Sequence, residues 1–279
     1  MVEPQGMADP QAAHRPISRL RSAYFCFAFY LCLLTWGVSC FGWSLVAALL
    51  YRLMPRRLGE PLGRFVIMLG FRWLIGVMRF TGVLHVDLRE LDRLRGDAGI
   101  VLVPNHPTML DAVLILSRLP GIVCITKAAL WDNWALGGGI RLAGYMPNDA
   151  PLPMMRRAAQ AVQAGNQLLI FPEGSRTTTP PVGHLHRSFA VMAKAAGAPV
   201  QAVLIEADSP YLAKGWPLLR RPVLPLVFRV RLGERFTVGA STDDCVARLE
   251  QHYRAELPGC WPPAWRAIQP AAAPRRQAA

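Results

Sequence analysis

From Ala23 to Tyr51 the chain runs 29 residues without an Asp, Glu, Lys or Arg, and this limits its possible folds more than any other stretch. A helix crosses the hydrocarbon core of a bilayer with about 20 apolar residues, so the run is long enough to be embedded in a membrane. Gly37 and Gly42 lie inside it beside Trp36 and Trp43, which allows either one tilted span or two short helices forming a re-entrant hairpin. Arg15, Arg19 and Arg21 precede it, and Arg52, Arg56, Arg57 and Arg64 follow it. Positive charge on both flanks suits a hairpin returning to the cytoplasmic face at least as well as a span. A secretory leader has an apolar core of roughly 7–15 residues and a small-residue cleavage site; the run has neither, so it is expected to be retained.

Around this segment the chain divides into four parts. Residues 1–22, with Pro4, Pro10 and Pro16 and no periodicity, read as a disordered tail. Residues 23–80 hold the membrane-embedded run and then Phe65 to Phe80, an apolar stretch with Arg72 and Arg79 one heptad apart. That spacing suits a helix in the membrane interface with snorkelling arginines, or an ordinary amphipathic helix facing a core. Residues 81–260 read as a catalytic domain, and 261–279, rich in Pro and Ala, as a loose tail.

The formal net charge of +13 comes almost wholly from arginine, since Lys127, Lys194 and Lys214 are the only lysines. Such a surplus favours phosphates in nucleic acid or in anionic lipid headgroups. With a long apolar segment alongside and no nucleic-acid motif, an anionic membrane surface is the expected partner. The six cysteines, Cys26, Cys32, Cys40, Cys124, Cys245 and Cys260, form no CxxC pair. They suggest neither a disulfide framework nor a zinc site, and a reducing compartment fits them.

Beyond Gly82 short apolar runs alternate with helical ones. Strands are expected at 83–88, 99–103, 122–126, 167–171 and 200–205, with helices at 112–118, 154–164 and 188–196 between them. Two terminal strands, 223–230 and 235–238, follow, the first an edge because of Pro225. A last helix starts at Ser241 or Thr242, with Asp243 and Asp244 in its first turn and Val246, Leu249, Tyr253 and Leu257 on one stripe. This alternation predicts an α/β fold, a mostly parallel sheet flanked by helices, preceded by a membrane helix or helical hairpin.

The block Asn105-His106-Pro107-Thr108-Met109-Leu110-Asp111 directly follows the strand at 99–103, and strand ends opening into helices are where α/β sheets present reactive groups. Transfer of an acyl group to a hydroxyl needs a base near neutral pH, and a neutral imidazole suits that work. A carboxylate on the other ring nitrogen fixes the tautomer and stabilises the imidazolium. His106 is the only histidine followed five residues later by an aspartate, Asp111. Sixty-seven residues after His106 comes Glu173, in a second block, Phe171-Pro172-Glu173-Gly174-Ser175-Arg176, again directly after an apolar strand.

With both blocks in this order, residues 82–240 resemble the phospholipid and glycerol acyltransferases that include the 1-acyl-glycerol-3-phosphate acyltransferases, whose signature pairs Asn-His-x4-Asp with Phe-Pro-Glu-Gly-Thr-Arg. Here Ser175 replaces the threonine. The resemblance implies His106 as general base and Asp111 as its orienting partner, with Glu173, Gly174, Ser175 and Arg176 binding the acceptor. Ile125-Thr126-Lys127-Ala128-Ala129-Leu130 is similar to the stretch carrying a phosphate-facing lysine, so Lys127 joins the substrate-binding set. A planar guanidinium such as Arg176 can hold a phosphate through two bonds. Glu173 is either a structural partner of the arginine or a ligand of glycerol hydroxyls.

Two blocks depart from the pattern. Gly144-Tyr145-Met146-Pro147-Asn148-Asp149 has Asn148 and Asp149 where the family carries an arginine, a role open to Arg141, Arg156 or Arg157. In Gly197 to Val203, Ala202 stands in place of a second proline. The expectation is an O-acyltransferase moving an acyl group from a thioester of acyl-carrier protein or coenzyme A to a lysophospholipid hydroxyl, most directly 1-acyl-glycerol-3-phosphate. It would need no cofactor and would work at the cytoplasmic face of the inner membrane. The altered Gly144 block keeps open a lyso-ornithine lipid, a glycolipid or a pigment-lipid intermediate as acceptor. His184 and His186 keep open a metal-dependent lipid hydrolase ligated with His106, Asp111 and Glu173.

Overall fold

The computed structural model describes residues 19–257 together with Gly259 and Trp265. Two long helices open the chain, α1 (Arg19–Leu53) and α2 (Arg56–Phe80). The first helix begins at Arg19, inside the expected tail, and runs unbroken through Gly37 and Gly42. The hairpin therefore lies not within residues 23–51 but between α1 and α2, which turn at Met54 and Pro55 and pack on each other. A glycine inside a helix costs roughly 1 kcal/mol relative to alanine, too little to interrupt a helix of 35 residues. Both helices are long and apolar enough to cross a membrane, and only 17% of the most apolar window of α1 is covered by the rest of the chain, against 33% for α2.

After α2 the order is β1 (Leu84–Asp87), a 3-10 helix (Arg89–Leu94), β2 (Val101–Pro104), α3 (Leu110–Leu116), β3 (Ile122–Thr126), α4 (Ala128–Trp131), α5 (Gly137–Leu142) and β4 (Met146–Pro147). Then come α6 (Pro151–Gln163), β5 (Gln167–Leu169), α7 (Ser188–Ala196), β6 (Val200–Ala207), β7 (Leu226–Phe236) and α8 (Thr242–Glu256). The seven strands form one sheet in the order β1-β7-β6-β2-β5-β3-β4. Every neighbouring pair is parallel except β6 with β7. Helices cover both faces, as the expected α/β class requires. One apolar layer packs α1, α2 and α3 on the sheet, and the other packs α6, α7 and α8.

Three details differ from the sequence reading. The two expected terminal strands are a single strand, β7, whose register shifts between Gln201 and Val203 of β6. Pro225 precedes that strand rather than lying in it, so β7 keeps its ladder bonds and sits inside the sheet between β6 and β1. The tail expected to be loose contains Trp265, which is buried and donates its indole N–H to Ala207 O at 3.2 Å; its other residues lie outside the described set. The start of α8 follows the expected capping, with the Ser241 hydroxyl accepting from Asp244 N.

α1 and α2 are seated on the domain by small residues. Gly138 N donates to Ser44 Oγ, and a Cβ at Gly138 would lie 2.0 Å from Ser44 O. A Cβ at Gly63 of α2 would lie 2.7 Å from Ala143 N. Beside it Arg64 donates to Ala143 O, Asn166 Oδ1 and Glu60 Oε2.

Candidate active site

β2 and β5 are neighbours in the sheet and run parallel, so the loops leaving their C-terminal ends emerge side by side. That adjacency joins two blocks 67 residues apart. Asn105 fastens the first block to the strand on its other side: its side chain donates to Ile205 O at 2.8 Å and accepts from Ile205 N at 2.7 Å.

His106 and Asp111 meet directly, with Nδ1 2.8 Å from Oδ2. Asp111 is fully buried in the first turn of α3, and the intervening residues hold it there. Thr108 donates its backbone N–H to Asp111 Oδ2 and its hydroxyl to Oδ1, each at 2.8 Å. Burial pushes the Asp111 carboxyl above its ordinary range, while the bonds from His106 and Thr108 pull the other way. The imidazole stacks on Phe171 with centroids 3.8 Å apart, so its plane is set from the second block, and its side chain stays 16% exposed. An imidazole with Nδ1 committed to a carboxylate and one edge open can take a proton at Nε2.

Glu173 is buried and is not the partner of Arg176. Its Oε1 accepts from His106 N at 3.1 Å and from the Thr177 hydroxyl at 2.6 Å, and its Oε2 accepts from Gly183 N at 2.8 Å. With Thr177 N donating to His106 O at 2.7 Å, the carboxylate ties the two blocks and the 177–183 loop into one unit. Gly174 takes φ +64°, a conformation L side chains avoid, and a Cβ there would meet the His186 ring at 3.2 Å. Ser175 is half-buried beside it, its hydroxyl 3.3 Å from Arg176 O.

Arg176 Nη1 donates to Leu212 O at 2.9 Å and Ala213 O at 3.0 Å. The guanidinium therefore grips a loop whose Leu212 has φ +61° and whose carbonyl also accepts from Met109 N. Burial lowers the Arg176 pKa, opposed by the charge of Asp111. Lys127 lies apart from these contacts, exposed at the end of β3 where α4 begins. Asn148 caps α4 by accepting from Ala128 N, Asp149 is exposed, and Arg141 is held by Trp131 O. His184 and His186 are exposed with ring centroids 5.4 Å apart. Among the described residues no group of three or more His, Cys, Asp or Glu is placed to hold a metal ion.

Sequence reasoning passed over Thr108, Phe171 and the 209–213 loop. Thr108 stands inside the His-x4-Asp spacing, where a hydroxyl three residues before a carboxylate at a helix start is itself a capping signal. The stacking of Phe171 and the grip of Arg176 on Leu212 depend on contacts across the sheet, which leave no mark in local sequence.

Comparison with known proteins bears on the fold and the activity. Residues 85–206 match the family model described as Acyltransferase. The chain is 23% identical over 233 residues to the 1-acyl-sn-glycerol-3-phosphate acyltransferase of Pseudomonas aeruginosa, covering 81% of this chain and 86% of that protein. It shares a fold with the crystal structure of the 1-acyl-sn-glycerophosphate (LPA) acyltransferase PlsC from Thermotoga maritima, at a TM-score of 0.62 and 19% identity over 86% of this chain and 97% of that one. Residues 85–206, which hold both the His106 and the Glu173 blocks, are thus similar to the Acyltransferase family, and the chain is an acyltransferase.

Proposed function

We propose that this protein transfers a fatty acyl group from a thioester of acyl-carrier protein or coenzyme A to the free hydroxyl of a lysophospholipid, with 1-acyl-glycerol-3-phosphate as the leading acceptor. The observation that carries the reading is the 2.8 Å contact of His106 Nδ1 with a buried Asp111 that Thr108 also holds. His106 Nε2 takes the hydroxyl proton as the oxygen attacks the thioester carbonyl, and Asp111 keeps the tautomer and balances the imidazolium. The thiolate leaves with the proton returned by the imidazolium, so no acyl-enzyme and no cofactor is needed.

Arg176, Ser175, Gly174 and Lys127 supply the acceptor end: cations for phosphate, and an open backbone at Gly174 for close approach. Glu173 shapes that end by holding His106 N and the 177–183 loop. The names of the relatives support the acceptor assignment. The uncovered apolar face of α1 and the arginine surplus support action at the cytoplasmic face of the inner membrane.

A second acceptor reading rests on one observation. At the Gly144 block Asn148 is spent on capping α4 and Asp149 adds negative charge, which favours a lysolipid without a phosphate monoester. His106→Ala should abolish transfer while the protein remains membrane-attached; an active mutant would sink the mechanism. Competition between lysophosphatidate and a zwitterionic lysolipid in the wild type separates the acceptors.

A further inference from the structure

Arg72 and Arg79, one heptad apart in the sequence, face a single cleft. About 600 Å³ in volume, it opens between α2, the end of β1 and the end of α3, and Arg89 and Arg118 line it as well. α3 runs from Asp111 at the active site to this cleft, so the two ends are separated by roughly 9 Å of helix. Four arginines face Asp87 inside the cleft and Asp92 just outside it, an excess of two positive charges.

The ion pairs show where that excess lies. Asp87 is bound by Arg89, and Asp92 by Arg118 and Arg95. Arg72 and Arg79 form no ion pair within 4 Å among the described residues, and Arg72 Nε is buried without a hydrogen-bond partner. A buried guanidinium N–H left unmatched favours an anionic oxygen from outside the chain. Trp73, 50% exposed, and Phe80, 92% exposed, adjoin the two arginines on the same helix, and such side chains belong at a bilayer interface.

We propose that this cleft is a second lipid site, distinct from the acceptor site, in which Arg72 and Arg79 bind the phosphate headgroup of an anionic glycerophospholipid in the membrane. A phosphate accepts two guanidinium forks at once, and the cleft volume is ample for a glycerophosphate headgroup. Bound there, the lipid completes the seat of α2 on the membrane surface.

The test is flotation of the full chain with vesicles of phosphatidylcholine alone or mixed with phosphatidylglycerol, a readout that does not depend on acyl transfer. Arg72→Gln with Arg79→Gln should lower the preference for phosphatidylglycerol about thirty-fold, the loss of two cationic contacts with an anionic surface. Gly76→Glu, where an added Cβ meets nothing within 4 Å, should do the same without removing a side chain, and circular dichroism checks that each variant is folded. Arg248→Gln with Arg254→Gln, an equal charge loss on α8, should leave the preference intact. An unchanged preference in both cleft variants, or an equal loss in the α8 control, overturns the proposal. Displacement of the protein from vesicles by inorganic phosphate or glycerol 3-phosphate at the same bulk phosphate concentration would assign the cleft to soluble phosphate and overturn the lipid assignment.

Discussion

His106 Nδ1 and Asp111 Oδ2 lie 2.8 Å apart, and the same carboxylate oxygen accepts the backbone N–H of Thr108. The carboxylate is therefore held from two sides and cannot follow the imidazole if the ring turns. Asp111→Asn keeps the shape but offers an amide in place of a charge, which disfavours the imidazolium and the tautomer that leaves Nε2 basic. Turnover should fall by roughly 10³–10⁴-fold, as in other carboxylate–histidine pairs, with thermal stability little changed. Steady-state kinetics and a melting curve on the same preparation check this.

Glu173 predicts a coupled loss. Its two oxygens accept three hydrogen bonds from His106 N, Thr177 and Gly183 N, and a glutamine would turn one acceptor into a donor facing another donor. Glu173→Gln should cost about 1–3 kcal/mol of stability and lower turnover together with it. Thr177→Val removes one of the three bonds and should cost roughly 1 kcal/mol. If Glu173→Gln changed acceptor KM alone at full stability, the bracing role would be wrong.

Arg176 separates charge from grip. Lysine retains the charge but cannot hold the Leu212 and Ala213 carbonyls from one planar group. Arg176→Lys should therefore free the 209–213 loop, read as faster proteolysis there, and raise acceptor KM several-fold. Activity equal to wild type would show that charge alone suffices.

Gly138→Ala should unseat α1, because the new Cβ would lie 2.0 Å from Ser44 O, a backbone atom that cannot yield without moving the helix. Overpacking of this kind costs roughly 1–3 kcal/mol. Gly70→Ala in α2, where the added Cβ meets nothing within 4 Å, is the control and should gain up to about 1 kcal/mol from helix propensity. Melting temperatures in detergent compare them.

Cys124 gives a pH prediction. Burial pushes its thiol up to about 12 from 9.0, so the folded chain holds a proton that the unfolded chain gives up. Stability falls as pH rises from about 9 toward 12. In Cys124→Ala that part of the alkaline loss should vanish. At pH below 9 the native thiol should resist iodoacetamide until the chain is denatured, as peptide mapping will show.

Much of the architecture was legible because it is written in local periodicity. The helix at Ser188–Ala196 and the strand at Ile122–Thr126 fall where the pattern puts them, and Ser241 caps α8 through a hydroxyl that sequence identifies. The 3-10 helix, α4, α5 and β4 were not legible. They span six residues or fewer, too short for a periodic signal, and packing stabilises them. Pro225 misled for a related reason: a proline is excluded from a ladder only if it lies in the strand, and β7 begins one residue later.

The sequence by itself determined the chemical inventory: an uncharged run long enough to cross a bilayer, two blocks following apolar strands, and an imidazole and a carboxylate spaced to meet across one turn. That spacing is local, so a helix start at Leu110 is enough to join His106 to Asp111. Only the tertiary structure decided the rest. The order of strands in a sheet depends on the packing of the whole chain, and it is the placement of β5 beside β2 that sets Phe171 against His106 and Glu173 beneath it. The same packing gave Arg176 its grip on Leu212 and brought Arg89 and Arg118 to the cleft that Arg72 and Arg79 face, contacts that neighbours in sequence cannot specify.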